Sequence, residues 1–501
     1  MDIKYKKTSF KWVWISATVI FCLLFTFALI PGAAAQGNSQ QPSGTGNIQS
    51  QVRNYTNIMQ NAYDFIIRNY VEEVDPRVIF EGAMNGMFNA LEDPYSTFLT
   101  ESDMKDLNDT TQGSFGGVGL NIIKANTPRP DGKPMWVEVV SPIEDTPGWR
   151  AGINPGDFIT KINGEPTENL TMDEVLGILR GTPGESVNLI IRRGEKMEFP
   201  ITIVRAIIEV PTVKYAMIGK TGYLKLLTFT PMSAERARDA INEFKEKNYN
   251  SLILDLRNNY GGRLDAAVEI SNLFLDGGLI VRTRSRIATE NRDFNARRRS
   301  TLVAPDIPVI VLINKGSASA SEIVAGALKD RGRAYLVGEN TFGKGSVQQV
   351  IPLSGIGFKI TTARYYTPSD VNIDKVGIPP DREVKFPEYT EADAEKLNLL
   401  INANRIPEFA EKNPKATPAQ IDAFALQLER EYKLNLALLK RLIRNELNRT
   451  TFAPVYDLEY DVQLQEALRI FESKTYQNLM QNSKTLRELQ EEAEKNLAIA
   501  S

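Results

Sequence analysis

Histidine is missing altogether from these 501 residues. That excludes a Ser-His-Asp triad, a Cys-His pair and any imidazole-ligated metal. Cysteine occurs once, at Cys22, so no intrachain disulfide is possible and thiol usage says nothing about compartment. Neither sign of charge dominates, and a formal net charge of −3 gives no reason to invoke nucleic acid. Long apolar runs are also scarce: the one conspicuous run lies near the N-terminus. The remainder, 42% hydrophobic and 24% charged, has the composition of a globular protein long enough for about two to four domains.

What is present centres on Asn314-Lys-Gly-Ser-Ala-Ser-Ala-Ser-Glu-Ile-Val-Ala-Gly-Ala-Leu328. The apolar run Pro308 to Ile313 before it reads as a buried strand, and Glu322 to Leu328 opens an apolar-periodic helix. Between them stand Ser317, Ser319 and Ser321 among alanines. A small-residue turn from strand to helix points backbone N–H groups outward. A hydroxyl there can attack a carbonyl while those N–H groups hold the oxyanion. The plainer alternative is that the serines only cap the helix. Without imidazole, a nucleophilic serine needs lysine as its base. Lysine starts near a pKa of about 10.4 and must fall toward about 7–8, through burial or a neighbouring cation.

Lys344 is placed for that task. Ala334 to Gly338 reads as a second buried strand, followed by Glu339-Asn-Thr-Phe-Gly-Lys344-Gly-Ser-Val-Gln348. If Lys344 opens a strand, then Lys344, Ser346 and Gln348 share a face, and the Gln348 amide oxygen can steer the amine. Gly338-x-x-x-x-Gly343-Lys344 also matches the first part of a phosphate-binding loop. Gly345 stands where that motif needs Ser or Thr, and strand-like sequence follows where a helix should open. Asp370, Asn372, Asp374 and Asp381 partly mimic a calcium loop, but Lys375 stands where glycine is needed. No metal and no cofactor are expected.

Asn314-x-Gly-Ser-Ala-Ser-Ala-Ser-Glu-Ile, Leu-Val-Gly-Glu339, Thr-Phe-Gly-Lys-Gly345 and Val347-Gln348 resemble the carboxyl-terminal processing proteases. These are tail-specific serine proteases with a Ser-Lys dyad and an embedded PDZ domain. Residue physics alone does not choose among the three serines. The resemblance implies Ser319, which lies 25 residues before Lys344 as in the family, with Gln348 as the assisting glutamine. Asp255-Leu-Arg-Asn-Asn-Tyr-Gly-Gly262 resembles a second family motif. It implies an oxyanion hole from the N–H of Gly261 or Gly262 together with that of Ala320. Tyr260 stands where many relatives have proline, which puts the stiffness of this turn in doubt. The resemblance extends over roughly residues 60 to 385.

Taken in order, residues 1–35 read as an export signal or an uncleaved anchor. Lys4, Lys6, Lys7 and Lys11 precede a 19-residue charge-free stretch, Trp12 to Ile30, and then Pro31-Gly-Ala-Ala-Ala35-Gln. The expectation is an exported chain, in the periplasm or cell envelope. Residues 36–47 read as a linker, and 48–111 as a helical segment interrupted at Asp93-Pro-Tyr-Ser-Thr-Phe-Leu99. That interruption resembles a family segment, although an ordinary helix-turn would account for it. Residues 112–205, with short strands, one helix and Ile162-Asn-Gly164, suit a PDZ domain. Gly117-Val118-Gly119-Leu120 is similar to its carboxylate loop, where successive N–H groups receive a peptide C-terminus. Arg180 reads as a solvated arginine, or else as a link to the active site.

Residues 206–388 alternate strand and helix, an α/β pattern. The resemblance makes it a crotonase/Clp-like protease core with the PDZ domain inserted. Residues 389–501 are helical, with long amphipathic stretches Ala419 to Leu447 and Val462 to Leu497 whose apolar faces need a partner on this chain or on a second copy. The expectation is a serine endopeptidase acting on protein or peptide C-termini. Membrane association through the N-terminal stretch and a homo-oligomer through the C-terminal helices are further expectations. The competing reading is a non-catalytic PDZ scaffold.

Overall fold

The computed structural model describes residues 45–124, 134–194, 197–387, 390–448 and 454–500. The basic and apolar N-terminal stretch, its cleavage-like site and Cys22 lie outside them. Among the described residues no helix is long and apolar enough to cross a membrane. Two compact units divide after Gly82. In the first, the helix Thr45–Asn69 starts within the stretch read as linker, and the Tyr63 hydroxyl donates to the Pro76 carbonyl at 2.9 Å.

The second unit is built on a six-stranded sheet in the order Val213–Ile218, Thr221–Leu226, Ser251–Asp255, Val309–Ile313, Tyr335–Gly338, Arg382–Glu383. Its first pair is antiparallel and the others are parallel. The central strand Val309–Ile313 is apolar at every position because both faces of the sheet are covered. Leu252, Leu254, Val309, Val311 and Ile313 pack one way, with the helices Ser233–Glu246, Leu264–Asn272 and Ala320–Asp330. Ile253, Ile310 and Leu312 point the other way, onto Leu464, Ala467, Ile470 and Tyr476. The apolar face of Val462–Glu472 is thus covered by this chain's own sheet. The stretch from Val462 is not one helix but three, Val462–Glu472, Tyr476–Gln481 and Leu486–Ala500, and Ala419 to Leu447 is divided where Lys433 turns left-handed.

A second, antiparallel sheet carries Thr97–Leu99, Ile356–Tyr366, Leu279–Ser285, Arg292–Asn295 and Ser346–Leu353. The interruption at Asp93 to Leu99 is therefore a turn running into the strand Thr97–Leu99 of this sheet, with Thr97 opposite Lys359. The inserted module is tied at its neck by Ser114–Gly117 pairing antiparallel with Ala206–Glu209. Inside it, a separate sheet packs its own core of Val137, Val139, Ile159, Leu189 and Ile191 beneath the helix Met172–Leu179. Among the described residues its edge strand, Leu120–Lys124, pairs on one side only, with Val137–Pro142.

The C-terminal region reaches the core through charge as well as packing. Asp461 takes both Arg257 amino groups at 2.7 and 2.6 Å, and Gln463 accepts from the same guanidinium at 3.0 Å. Arg257 also pairs with the fully buried Asp255 at 2.7 Å. Burial would push the Asp255 carboxyl up, yet the adjoining guanidinium and further donors hold it down at about 2. A guanidinium shared this way is costly to leave half paired. Asp461 keeps some solvent exposure, so Asp461→Ala is expected to remove about 2–3 kcal/mol of stability. The check is a lower urea midpoint for the full chain.

Candidate active site

Strand Val309–Ile313 ends in a loop that the three serines occupy differently. Ser317 and Ser321 are fully buried. The Ser317 hydroxyl donates to the Leu256 carbonyl at 2.8 Å, and that of Ser321 to the Asn259 carbonyl at 2.7 Å. Both are spent on holding the turn that follows Ser251–Asp255. Ser319 is half-buried, and its hydroxyl donates to nothing among the described residues. It stands at φ 55°, ψ −111°, immediately before the helix Ala320–Asp330. A left-handed φ at a residue other than glycine costs about 1–3 kcal/mol and persists only where the surroundings enforce it.

Those surroundings are the glycine turn and Glu322. A Cβ on Gly261 would stand 2.9 Å from Ser319 Cβ and 2.9 Å from the Ala320 nitrogen, so only glycine fits there. Tyr260 is 78% exposed and does not brace the turn. Asn259 does: its Oδ1 accepts from the Gly261 N–H at 3.0 Å, and its Nδ2 donates to the Leu226 carbonyl at 3.0 Å. The Gly261 N–H is thus engaged inside the turn, whereas the Gly262 and Ala320 N–H groups have no partner among the described residues.

Glu322, in the first turn of the helix, is fully buried. It accepts from the Ser319 N–H at 2.8 Å, the Thr341 hydroxyl at 2.5 Å, and the N–H groups of Gly343 at 2.7 Å and Lys344 at 2.9 Å. Burial raises its pKa above the ordinary glutamate value, and these donors oppose the rise. Tyr365 adds a second tie, its hydroxyl donating to the Ser319 carbonyl at 3.2 Å and also to the Lys344 carbonyl. The serine turn and the lysine loop are thereby held side by side by two buried groups.

The lysine's side chain does something else. The Lys344 ammonium lies 4.5 Å from the centre of the Tyr95 ring. Among the described residues no hydrogen bond joins it to Ser319 or to Gln348. Burial, and then the neighbouring Lys359, lower its pKa from the ordinary lysine value, against Asp93 and Glu322. Lys344 precedes its strand rather than opening it, and a bulge falls between Val347 and Gln348. The Gln348 Nε2 donates to the Ser346 hydroxyl at 3.0 Å and the Thr361 hydroxyl at 3.1 Å.

In the inserted module, a cavity of about 360 Å³ runs beside the edge strand, lined by Val118, Leu120, Ile122, Ile143, Leu176 and Leu179. Gly119 is left-handed at φ 76°, and a Cβ there would strike Thr146 Oγ1 at 2.3 Å. The edge strand, the glycine turn and the helix Met172–Leu179 bound this apolar slot. Arg180 is not simply solvated: it lies 3.5 Å from both Asp106 and Asp109 and 4.8 Å over the Phe115 ring, joining this module to the helix Glu101–Gln112.

Neither decoy gathers a ligand set. The loop Gly338 to Lys344 runs into the strand Ser346–Leu353. Asp370 faces Arg282 and Arg284, Asp374 takes the Gly345 N–H, and Asp381 pairs with Lys329. Sequence reasoning missed Glu322, Asn259, Tyr365 and Tyr95. Only Glu322 had a local signal, the Ser319-x-x-Glu322 spacing of a capping box.

A parallel-sheet core with a strained serine at a helix N-terminus and a peptide-slot module inserted ahead of it defines a serine-type peptidase with a PDZ domain. The Peptidase family S41 profile matches residues 220–384, a PDZ domain profile 138–193, and the activating protease CtpB N-terminal domain 21–103. A carboxy-terminal-processing protease of Bartonella bacilliformis is 41% identical over 348 residues, covering 66% of this chain and 78% of that one. A probable CtpA-like serine protease of Staphylococcus aureus is 34% identical over 347 residues, covering 69% and 67%. Among solved structures, a photosystem II D1 C-terminal processing protease aligns at 29% identity and a TM-score of 0.38, over 65% of this chain and 91% of that one. The chain belongs to the carboxyl-terminal processing protease family.

Replacing Glu322 tests the tie between the two loops. In Glu322→Gln one acceptor oxygen becomes a donor facing two existing donors. The expected loss is about 2–4 kcal/mol, read as a lower thermal midpoint together with loss of peptidase activity.

Proposed function

We propose that this peptidase captures protein C-termini in its PDZ slot and cleaves peptide bonds with a Ser319–Lys344 dyad. The observation that carries the reading is the pairing of the serine turn with the lysine loop by Glu322 and Tyr365 in a chain without histidine. A desolvated lysine beside a second cation is a feasible base near neutral pH.

In this scheme the neutral Lys344 amine takes the Ser319 hydroxyl proton as Oγ attacks the substrate carbonyl carbon. The oxyanion accepts from the Ala320 and Gly262 N–H groups. As the tetrahedral species collapses, the Lys344 ammonium returns its proton to the departing amine, leaving an acyl ester on Ser319. Lys344 next deprotonates a water, which attacks the ester, and Ser319 recovers its proton as the acid product leaves. Gln348 orients the amine: with its Nε2 engaged by two hydroxyls, its Oε1 accepts from Lys344. The apolar lining of the PDZ slot selects a chain end with apolar side chains, and the Gly117 to Leu120 turn receives its carboxylate.

Three measurements check this. Digestion of an unfolded protein by wild type, Ser319→Ala and Lys344→Ala should show cleavage by wild type alone; equal cleavage by Ser319→Ala removes it as nucleophile. Activity of the wild type should climb with pH through the Lys344 pKa, because the neutral amine is the working form. A peptide substrate carrying a C-terminal amide should be cut at least about tenfold more slowly than its free acid, the loss of one charged contact. Equal rates would remove carboxylate capture.

A further inference from the structure

The segment Asp93-Pro-Tyr-Ser-Thr-Phe-Leu99 has a definite place beside the site, and nothing so far explains it. Asp93 accepts from the Ser96 hydroxyl at 2.5 Å and the Tyr95 N–H at 3.0 Å, which folds the segment into a tight turn. Ser96 is buried, and its Oγ accepts from the Thr361 N–H at 3.0 Å. Thr97–Leu99 then joins the sheet against Lys359, Phe358 and Gly357. Thr361, which Ser96 engages, also holds Gln348 through its hydroxyl at 3.1 Å. A single anchored turn thus sets both Gln348 and the Tyr95 ring.

We propose that Tyr95 is a positioning residue: its ring face holds the charged Lys344 side chain at rest, off the Ser319 hydroxyl, and releases it once the amine is neutral. The inference rests on the dyad reading above. An ammonium 4.5 Å from a ring centre is attracted by the negative face of the π system, and a neutral amine is not. The contact therefore discriminates between the two protonation states of one group. The other charged groups facing Lys344 are Lys359, from the strand Ile356–Tyr366, Asp93, from the same turn as Tyr95, and Glu322, from the helix Ala320–Asp330. Lys359 favours the neutral amine, whereas Asp93 and Glu322 favour the ammonium. Tyr95 adds to the second group without adding a charge, so it shifts the balance while leaving the cleft's net charge unaltered.

The sign follows directly. Removing the π face weakens the hold on the ammonium, so the neutral amine forms at lower pH and the acid limb of the kcat/KM profile moves down. The test uses the full chain with Tyr95→Phe, with Tyr95→Leu, and with a series of increasingly fluorinated phenylalanines in place of Tyr95. The fluorinated series keeps ring size and fold while draining the π face. Tyr95→Phe should keep the wild-type limb. Tyr95→Leu should move it down by about half to one and a half pH units, the span of a partly desolvated cation–π contact. The fluorinated series should move it down step by step. A limb that stays fixed across the series, or moves up, overturns the proposal. NMR titration of isotope-labelled lysine, with the Lys344 signal assigned by its loss in Lys344→Arg, reads the same shift without catalysis. If Ser319→Ala cleaves as wild type does, the dyad reading fails, and the NMR series still decides whether Tyr95 holds the ammonium.

Discussion

A buried carboxylate that accepts four hydrogen bonds organises the site. Glu322 draws one donor from the serine turn and three from the loop that carries Lys344. Because it has no solvent to turn to, each missing donor would leave charge uncompensated, and the two loops are fixed relative to one another by that demand. The strained backbone of Ser319 is the local consequence. A turn free to relax would not stay at positive φ, and the Glu322 bond to the Ser319 N–H, with Gly261 packed against the Cβ, denies it that freedom.

Rigid loops and a movable side chain divide the work. The backbones of Ser319 and Lys344 are tied by Glu322 and Tyr365, while the lysine's four-carbon stem reaches across to Tyr95. In the proposed mechanism, pre-organised donors at Ala320 and Gly262 would cost nothing to reorganise when charge develops. In the proposed dyad, Lys344 by contrast has to change both protonation state and position, and a flexible stem permits that.

The wider architecture feeds this centre from two sides. The C-terminal region covers one face of the main sheet and places Asp461 on Arg257, which directly precedes the turn braced by Asn259. On the other side, the inserted module is joined at its neck by a two-stranded pairing and by Arg180, whose guanidinium engages Asp106, Asp109 and Phe115. Arg180 sits at the end of the slot helix Met172–Leu179, so a filled slot and the helix Glu101–Gln112 share one contact.

The α/β core, the inserted module and the helical flanks were legible in the sequence, since apolar period and glycine placement report on each strand, helix and turn separately. The absence of histidine meant that a nucleophilic serine in this chain would need lysine as its base. What the chain order left open was which serine hydroxyl is free. Three-dimensional packing answers it by burying Ser317 and Ser321 against carbonyls of Leu256 and Asn259, some sixty residues earlier in the chain. The engagement of Gly261 by Asn259, the division of the long C-terminal stretches into shorter helices, and the meeting of Tyr95 with Lys344 were likewise out of reach. Local sequence encodes what a segment prefers by itself. Which distant segments share a buried donor or a ring face is set only when the sheets close and bring Tyr95, Asn259, Glu322 and Tyr365 around the serine turn and the lysine loop.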